Sequence, residues 1–410
     1  MDAQSVQITG LGTVSPHGDD PRALFDALMR CESAIAPVFP ELARPAAAAT
    51  VGFDASRWFT KLQLAGVDRV SQLAVAAADL AMRDAGLAGA AGAGLGVFAG
   101  CGMGGAAALE AAYRAGSGGS GRVPPLTIPA FMPNAPASHV AMRHRAHGPV
   151  LTYSVACASS SIAIAEAAKA VSRGEVDIAI AGGSEALIVP GVVMAWQAMQ
   201  TLAGFEPGEA PRAVRPFAAD RSGFALGEGA AFLILESARH ARARGARSYA
   251  TLAGWGSSCD ATHLTKPDAE GQARALRMAL SRAGLAPADV GYCNAHGTAT
   301  RIGDIVESQA LATVWGDALA RLRVSSTKAL HGHLLGAAGA LEALNTVLAL
   351  HRNELPPNAH CEAVDPECAL DLVAETGTDT AAPALQAAIS NSFAFGGSNS
   401  VLLFTRPVPE

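Results

Sequence analysis

Cys157 stands where β-forming residues 151–155 give way to an alanine-rich, apolar run of helical character. A sulfur at such a junction faces the free amides and the positive dipole end of the helix, and both favour a thiolate. A free thiol, with pKa about 8.5, is otherwise little ionised at neutral pH. The competing reading is a buried cysteine acting as a small apolar filler. Two histidines offer partners, His296 in NAHGTATRIGD and His333 in STKALHGHLLGAAGALE, although a lone histidine is commonly a hydrogen-bonded structural residue. Cys–His hydrolysis needs one imidazole and one orienting group, and leaves the second histidine without a role. A metal reading would join His331 and His333 to His296 and Asp304. No HExxH or paired-cysteine signature supports it, and the glycines around His333 suggest close packing against backbone.

These residues require strands to deliver them and helices to bury them. Residues 6–12 predict a buried strand ending in a glycine turn. Its GLGTVS fails as a dinucleotide fingerprint because Pro16 and Gly18 interrupt any helix and the third glycine is missing. Helices are expected at 22–34 and 70–85, a strand at 95–99 running into the CGMGG loop, and a long Gly/Ser/Pro-rich excursion at 115–136. After the Cys157 unit come a strand at 176–181 and an irregular stretch at 203–228. A strand follows at 230–235, then a solvated basic helix at 237–245. The plan then repeats. Strands are expected at 249–257, 290–294, 323–326 and 385–390, with a helix at 271–283 and a small-residue helix after His333. Each half carries a strand, a reactive-type residue, a buried Ala/Gly-rich helix and a Gly-Gly-Ser (182–184 and 396–398). This points to α/β layering in two similar halves, 1–248 with Cys157 and 249–410 with His296 and His333.

The bulk properties agree with a large buried interior. In 410 residues, 50% are hydrophobic and 16% charged, which excludes a largely disordered chain. A net charge of −6 gives no broad nucleic-acid footprint. Seven scattered cysteines without a CxxC suggest a reducing compartment. No apolar run is long enough to span a bilayer, and the acidic, strand-like start lacks a signal-type h-region, so a soluble, cytoplasmic protein is expected.

VACASSS, NAHGTATRIGD, STKALHGHLLGAAGALE and NSFAFGGSNS, in this order, resemble the elongating β-ketoacyl-acyl-carrier-protein synthases of dissociated fatty-acid and polyketide systems. QITGLGTVSP and RPFAADRSGFALGEGAAFLILE extend the resemblance over essentially the whole chain. It implies a thiolase-like fold of two duplicated halves in five alternating α-β-α-β-α layers. It also implies Cys157 as acyl acceptor, with neutral His296 and His333 as donors to a malonyl-derived enolate. Backbone amides of Cys157 and Phe395 would hold the tetrahedral oxyanion. Lys328 and Glu342 match a charged pair behind the site. Thr298 and Thr300 match residues on the pantetheine arm, Phe395 matches a gate, and Phe393 is counted with the substrate-facing residues. No metal and no cofactor are implied, the substrates riding on the phosphopantetheine of acyl-carrier protein. The partners implied are that carrier and a second subunit, as a homodimer or as a heterodimer with a chain-length factor. A thiolase would need a cysteine near the C-terminal glycine turn, which is absent. The rival from another class is a chain-length-factor-like subunit of little activity, against which stand the retained Cys157, His296 and His333.

Several positions depart from that family's pattern. His331 stands where Thr or Ser is usual, and Arg301 where proline is frequent. Met103 matches a position limiting acyl depth. Carrier docking is expected at Lys61 and Arg69, a sparse basic region that Arg122, Arg212 and Arg215 would supplement. The departures lean towards specialised polyketide or polyene assembly rather than housekeeping fatty-acid synthesis.

Overall fold

The first strand, β1 (Val6–Val14), is buried along its whole length because a helix lies directly on it. Its glycines permit the approach: a Cβ on Gly12 would stand 2.2 Å from the carbonyl oxygen of Ala77. The glycine-rich opening is therefore strand interior rather than a turn, and the strand continues to Val14. The helix on it is α1 (Arg69–Asp84), started by Asp68, whose carboxylate accepts the N–H of Val70. The computed structural model describes residues 5–92, 94–118, 121–375 and 384–407.

The first half continues through β2 (Leu95–Gly100), α2 (Ala135–His144), β3 (Val150–Tyr153), α3 (Ser159–Ser172), β4 (Ile178–Glu185) and β5 (Gly229–Ser237). The second half runs β6 (Ala250–Cys259), α4 (Ala269–Ala283), β7 (Tyr292–Asn294), α5 (Arg301–Trp315), β8 (Arg323–Ser325), α6 (Ala338–Arg352), β9 (Ala387–Ala394) and β10 (Ser398–Thr405). The strand order is β3-β2-β4-β5-β1 in the first and β8-β7-β9-β10-β6 in the second. In each, the first three are parallel and the last two antiparallel, so one topology is used twice. The two sheets meet edge to edge where Val6, Gln7 and Ile8 pair with Leu252, Thr251 and Ala250.

α3 and α6 lie against each other between the sheets, α1 and α2 cover the outer face of the first, and α4 and α5 cover the second. These are the five alternating layers expected. Residues 338–350 of α6 are all buried, as a helix apolar all round must be. A small sheet of Ile35–Val38, Ala46–Ala49 and Leu226–Gly227 sits beside the layers.

Three expectations need correction. The two Gly-Gly-Ser segments are not equivalent: Gly182–Ser184 lies inside β4, whereas Gly396 and Gly397 form the left-handed turn between β9 and β10. The helix placed at 22–34 is Pro21–Met29, closed by Cys31 at φ 55°. The stretch 115–136 is helical in part, overlapping Ala106–Ser117, Thr127–Phe131 and the start of α2, with residues 121–126 and 132–134 irregular between them; residues 119 and 120 lie outside the described residues.

Candidate active site

Cys157 is presented by a tight elbow between β3 and α3. Ala156, just before it, has φ 45°, a left-handed conformation costing about 1 kcal/mol that needs outside support. Ser159 gives that support, its Oγ accepting the N–H of Val155 at 2.8 Å and donating to the carbonyl of Ala156 at 2.6 Å. The next two serines tie the elbow to the other half. Ser160 Oγ accepts the N–H of Ala340 at 2.9 Å, and Ser161 shares a 2.8 Å hydrogen bond with Ser400.

His296 follows β7. Its N–H and that of Gly297 are donated to the two oxygens of buried Glu307 at 2.9 and 2.8 Å, and Asn391 donates to the same carboxyl at 3.0 Å. His333 is held by backbone on both sides: its N–H reaches the Ala225 carbonyl and its carbonyl accepts the Gly227 N–H, each at 2.8 Å. Its Nδ1 accepts the N–H of Leu335 at 3.3 Å, which leaves the ring proton on Nε2. That Nε2 lies 3.0 Å from Cys157 Sγ. One ligand-type atom from each of Cys157, His296 and His333 lies within 4.8 Å of the other two, and the imidazoles cross edge to face at 5.3 Å. Sequence positions 157, 296 and 333 thus converge in one cavity of about 420 Å³.

Burial sets the protonation states. Both histidines are held well below the usual imidazole range, first by desolvation and then by the Lys328 charge, so they are neutral. Cys157 is pushed up to about 12 by desolvation, with Lys328 opposing. The resting sulfur is therefore a thiol, contrary to the thiolate expected from the helix terminus. Desolvation of a fully buried sulfur outweighs the dipole, which acts through only partial charge. Lys328 and Glu342 are both completely buried and form an ion pair behind the cavity rather than in its wall.

The remaining expected residues divide. Thr298 and Thr300 line the cavity and share a 2.9 Å hydrogen bond between hydroxyls. Phe393 lies 6.3 Å from the His296 ring, and Phe395 also lines the wall. Met103 does not line the cavity and is 55% exposed. Arg69 is not free for docking: it makes a two-pronged bond to Glu228 at 2.9 and 2.7 Å. Arg212 and Arg215 are paired with Glu362 and Asp220, while Lys61 and Arg122 are exposed. The metal grouping around His331 is not assembled. The ring nitrogens of His331 bond the Gly332 carbonyl and the Thr327 hydroxyl, and Asp304 accepts from Phe217 N–H.

Sequence reasoning missed Trp196, whose ring stacks on Phe395 at 6.1 Å and meets Phe224 edge-on at 5.4 Å. Phe224 in turn meets His333 at 5.3 Å. It also missed Lys266, which with Arg301 is exposed on the cavity's open side. An aromatic ring carries no motif of its own, and Lys266 lies on a loop whose approach to the cavity depends on the backbone bond from Gly396 N–H to the Leu264 carbonyl.

Residues 3–241 match the profile of the N-terminal domain of beta-ketoacyl synthase, and residues 249–362 that of its C-terminal domain. Among curated proteins, nodulation protein E of Rhizobium meliloti is 41% identical over 97% of this chain and 98% of its own. The 3-oxoacyl-[acyl-carrier-protein] synthase 2 of Staphylococcus aureus (strain COL) is 37% identical over 98% of each. Among solved structures, a type II polyketide-synthase ketosynthase in complex with its acyl-carrier protein superposes with a TM-score of 0.90. It is 29% identical, over 98% of this chain and 99% of that one.

Proposed function

This chain belongs to the beta-ketoacyl synthase family as an elongating acyltransferase with the thiolase-like fold, and we propose that Cys157, His296 and His333 divide its reaction as follows. The reaction is a decarboxylative condensation with malonyl-acyl-carrier protein that gives a 3-oxoacyl product. In the first half-reaction, Cys157 Sγ attacks the acyl-carrier thioester. The new carbon–sulfur bond replaces the old one, and the thiol proton leaves on the departing pantetheine sulfur. The thiol, buried and pushed up to about 12, ionises only as the substrate arrives and its charge passes to the leaving sulfur. Backbone amides of Cys157 and Phe395 receive the tetrahedral oxyanion.

In the second, malonyl-carrier protein loses CO2 and leaves an enolate. The Nε2–H of His333, with the imidazole of His296, donates to the enolate oxygen, and the nucleophilic carbon attacks acyl-Cys157. Collapse expels the cysteine sulfur, which regains a proton from water. No step calls for a redox or metal group, because N–H donors meet each developing negative charge. Lys328 and Glu342 polarise from behind, and Thr298 and Thr300 hold the pantetheine arm. Trp196 and Phe395 flank the path.

The observation that carries this reading is the convergence of the sulfur and two neutral imidazoles within 4.8 Å in a single cavity. It also argues against a chain-length-factor-like subunit of little activity. Replacing Cys157 with Ala is expected to leave a folded protein that neither gains acyl mass nor condenses. Condensation persisting in that variant would refute the assignment. His333→Ala is expected to retain acyl transfer and lose CO2 release by about 100-fold or more, the usual loss for one oxyanion donor. Unchanged CO2 release from [1,3-14C]malonyl-carrier protein removes His333 from the enolate site.

The carrier docks on the open side of the cavity, where Lys266 and Arg301 replace the already paired Arg69, Arg212 and Arg215 as its contacts, with Lys61 and Arg122 further out. The assembly is a dimer in the cytoplasm. Its support is an exposed apolar sheet edge at Val150 and Leu151, seven free thiols, and no described helix long and apolar enough to cross a membrane. The substrate role is specialised polyketide or polyene assembly, supported by similarity to a protein named for nodulation and to a polyketide-synthase ketosynthase. Intact mass measured after incubation with a panel of acyl-carrier proteins tests it: preferential loading of ordinary saturated chains would contradict it.

A further inference from the structure

Glu185 ends β4 with no accessible surface, and its hydrogen-bond partners are backbone N–H groups and a thiol rather than a cation. Its Oε2 accepts the N–H of Gly102 at 2.8 Å and that of Gly336 at 3.1 Å. Its Oε1 has weaker contacts, with Met103 N at 3.5 Å and the Cys101 thiol at 4.0 Å. One oxygen thus joins the CGMGG loop of the first half to the segment after His333 in the second. The fit is close. A Cβ on Gly102 would stand 2.4 Å from Oε2, and one on Gly336 2.5 Å from it.

What Gly336 follows gives the bridge its meaning. Leu335, whose N–H fixes Nδ1 of His333, has φ 50°, a conformation a branched side chain adopts only when its surroundings impose it. Glu185 grips the next N–H in the chain. A role in packing alone would be met by an apolar side chain without the penalty of burying a carboxyl. That penalty is large here, for burial pushes this carboxyl up to about 7.

We propose that Glu185 is a positioning residue for the condensation: by holding Gly336 it keeps Leu335 left-handed, its N–H on His333 Nδ1, and the imidazole proton on Nε2. The proposal rests on the enolate role given to His333. Both strong bonds of Glu185 go to one oxygen, so the amide oxygen of Glu185→Gln can take its place. Glu185→Asp is one methylene too short to reach both glycines, and Glu185→Ala removes the bridge.

The test measures two partial reactions separately, acylation of Cys157 by intact mass and CO2 release from malonyl-carrier protein, together with the 15N signals of the His333 ring. Glu185→Gln is expected to keep CO2 release and the Nε2–H tautomer. Glu185→Asp and Glu185→Ala are expected to lose CO2 release by about 10- to 100-fold, the range for residues that orient a catalytic group. Both should show Nδ1–H signal, with acylation preserved. Should Glu185→Ala fail to fold, Glu185→Asp against Glu185→Gln decides. Equal loss in both partial reactions, or a His333 ring signal unchanged in Glu185→Asp, overturns the proposal. His333→Ala run alongside separates the two ideas: CO2 release surviving there sinks the role of His333 itself, while the tautomer signal still reports whether Glu185 positions the ring.

Discussion

At the scale of single residues, the two imidazoles proposed as enolate donors are kept uncharged. A protonated imidazole would bind an enolate strongly, but it would also bind the malonyl carboxylate and hold it back from leaving. Desolvation and the neighbouring Lys328 remove that option by holding both rings well below 6.5. A lowered value means that the neutral form persists as pH falls through 6.5, so no acid limb belongs there. Single-turnover CO2 release by acylated enzyme is expected to be level between about pH 8 and 6. A limb with an apparent pKa near 6.5 that His296→Asn or His333→Asn abolishes would show that these rings titrate in the working range. The identities of these residues were legible in the sequence because VACASSS, NAHGTATRIGD and STKALHGHLLGAAGALE together resemble one family, where a lone cysteine or histidine would have read as structural. Their ionisation was not. The helix terminus beside Cys157 is visible in the sequence, but its burial is set by Leu335 and by Phe224 and Leu226, far off in the chain.

At the scale of elements, α3 and α6 set the distance between sulfur and imidazole. They touch where Gly339 faces Ser161: a Cβ there would meet the Ser161 Cβ at 2.7 Å and its N at 2.9 Å. These are backbone and near-backbone atoms that cannot swing aside, so Gly339→Ala must part the helices. Overpacking of this kind costs about 1–3 kcal/mol. It should also stretch the 3.0 Å contact from Cys157 Sγ to His333 Nε2 and lower condensation by about 10-fold or more. Thermal melting and condensation rate, measured on the same preparation, check it; a destabilised variant of full activity would show that helix spacing does not set the site geometry. Apolar runs and Ala/Gly helices made these elements readable. What could not be read was which glycine served a turn and which served packing. Gly12 and Gly339 admit a neighbour, while Gly396 with φ 86° turns the chain, and the residue type is the same in each case.

At the scale of the whole molecule, neither half carries the three converging side chains by itself. The first brings the sulfur and the second both imidazoles, and Ser160, Ser161 and Glu185 cross the boundary to hold them in register. The same topology used twice leaves one conspicuous open edge. On the side of the first sheet, β3 is last in order, with Val150 37% and Leu151 45% exposed. Met132 and Met142 are exposed on neighbouring helices, so apolar surface continues beyond the strand. An unpaired, uncharged edge of this kind invites a second strand. A dimer formed there would extend the central sheet through both copies and place the two elbows that carry Cys157 close to the shared face. Leu151→Lys puts a charge on that edge without touching any residue of the cavity. Sedimentation is expected to show wild-type protein at twice the chain mass and the variant shifted towards a single chain, with loss of activity following the loss of the dimer. A variant that sediments as a dimer with wild-type affinity would place the interface elsewhere on the molecule.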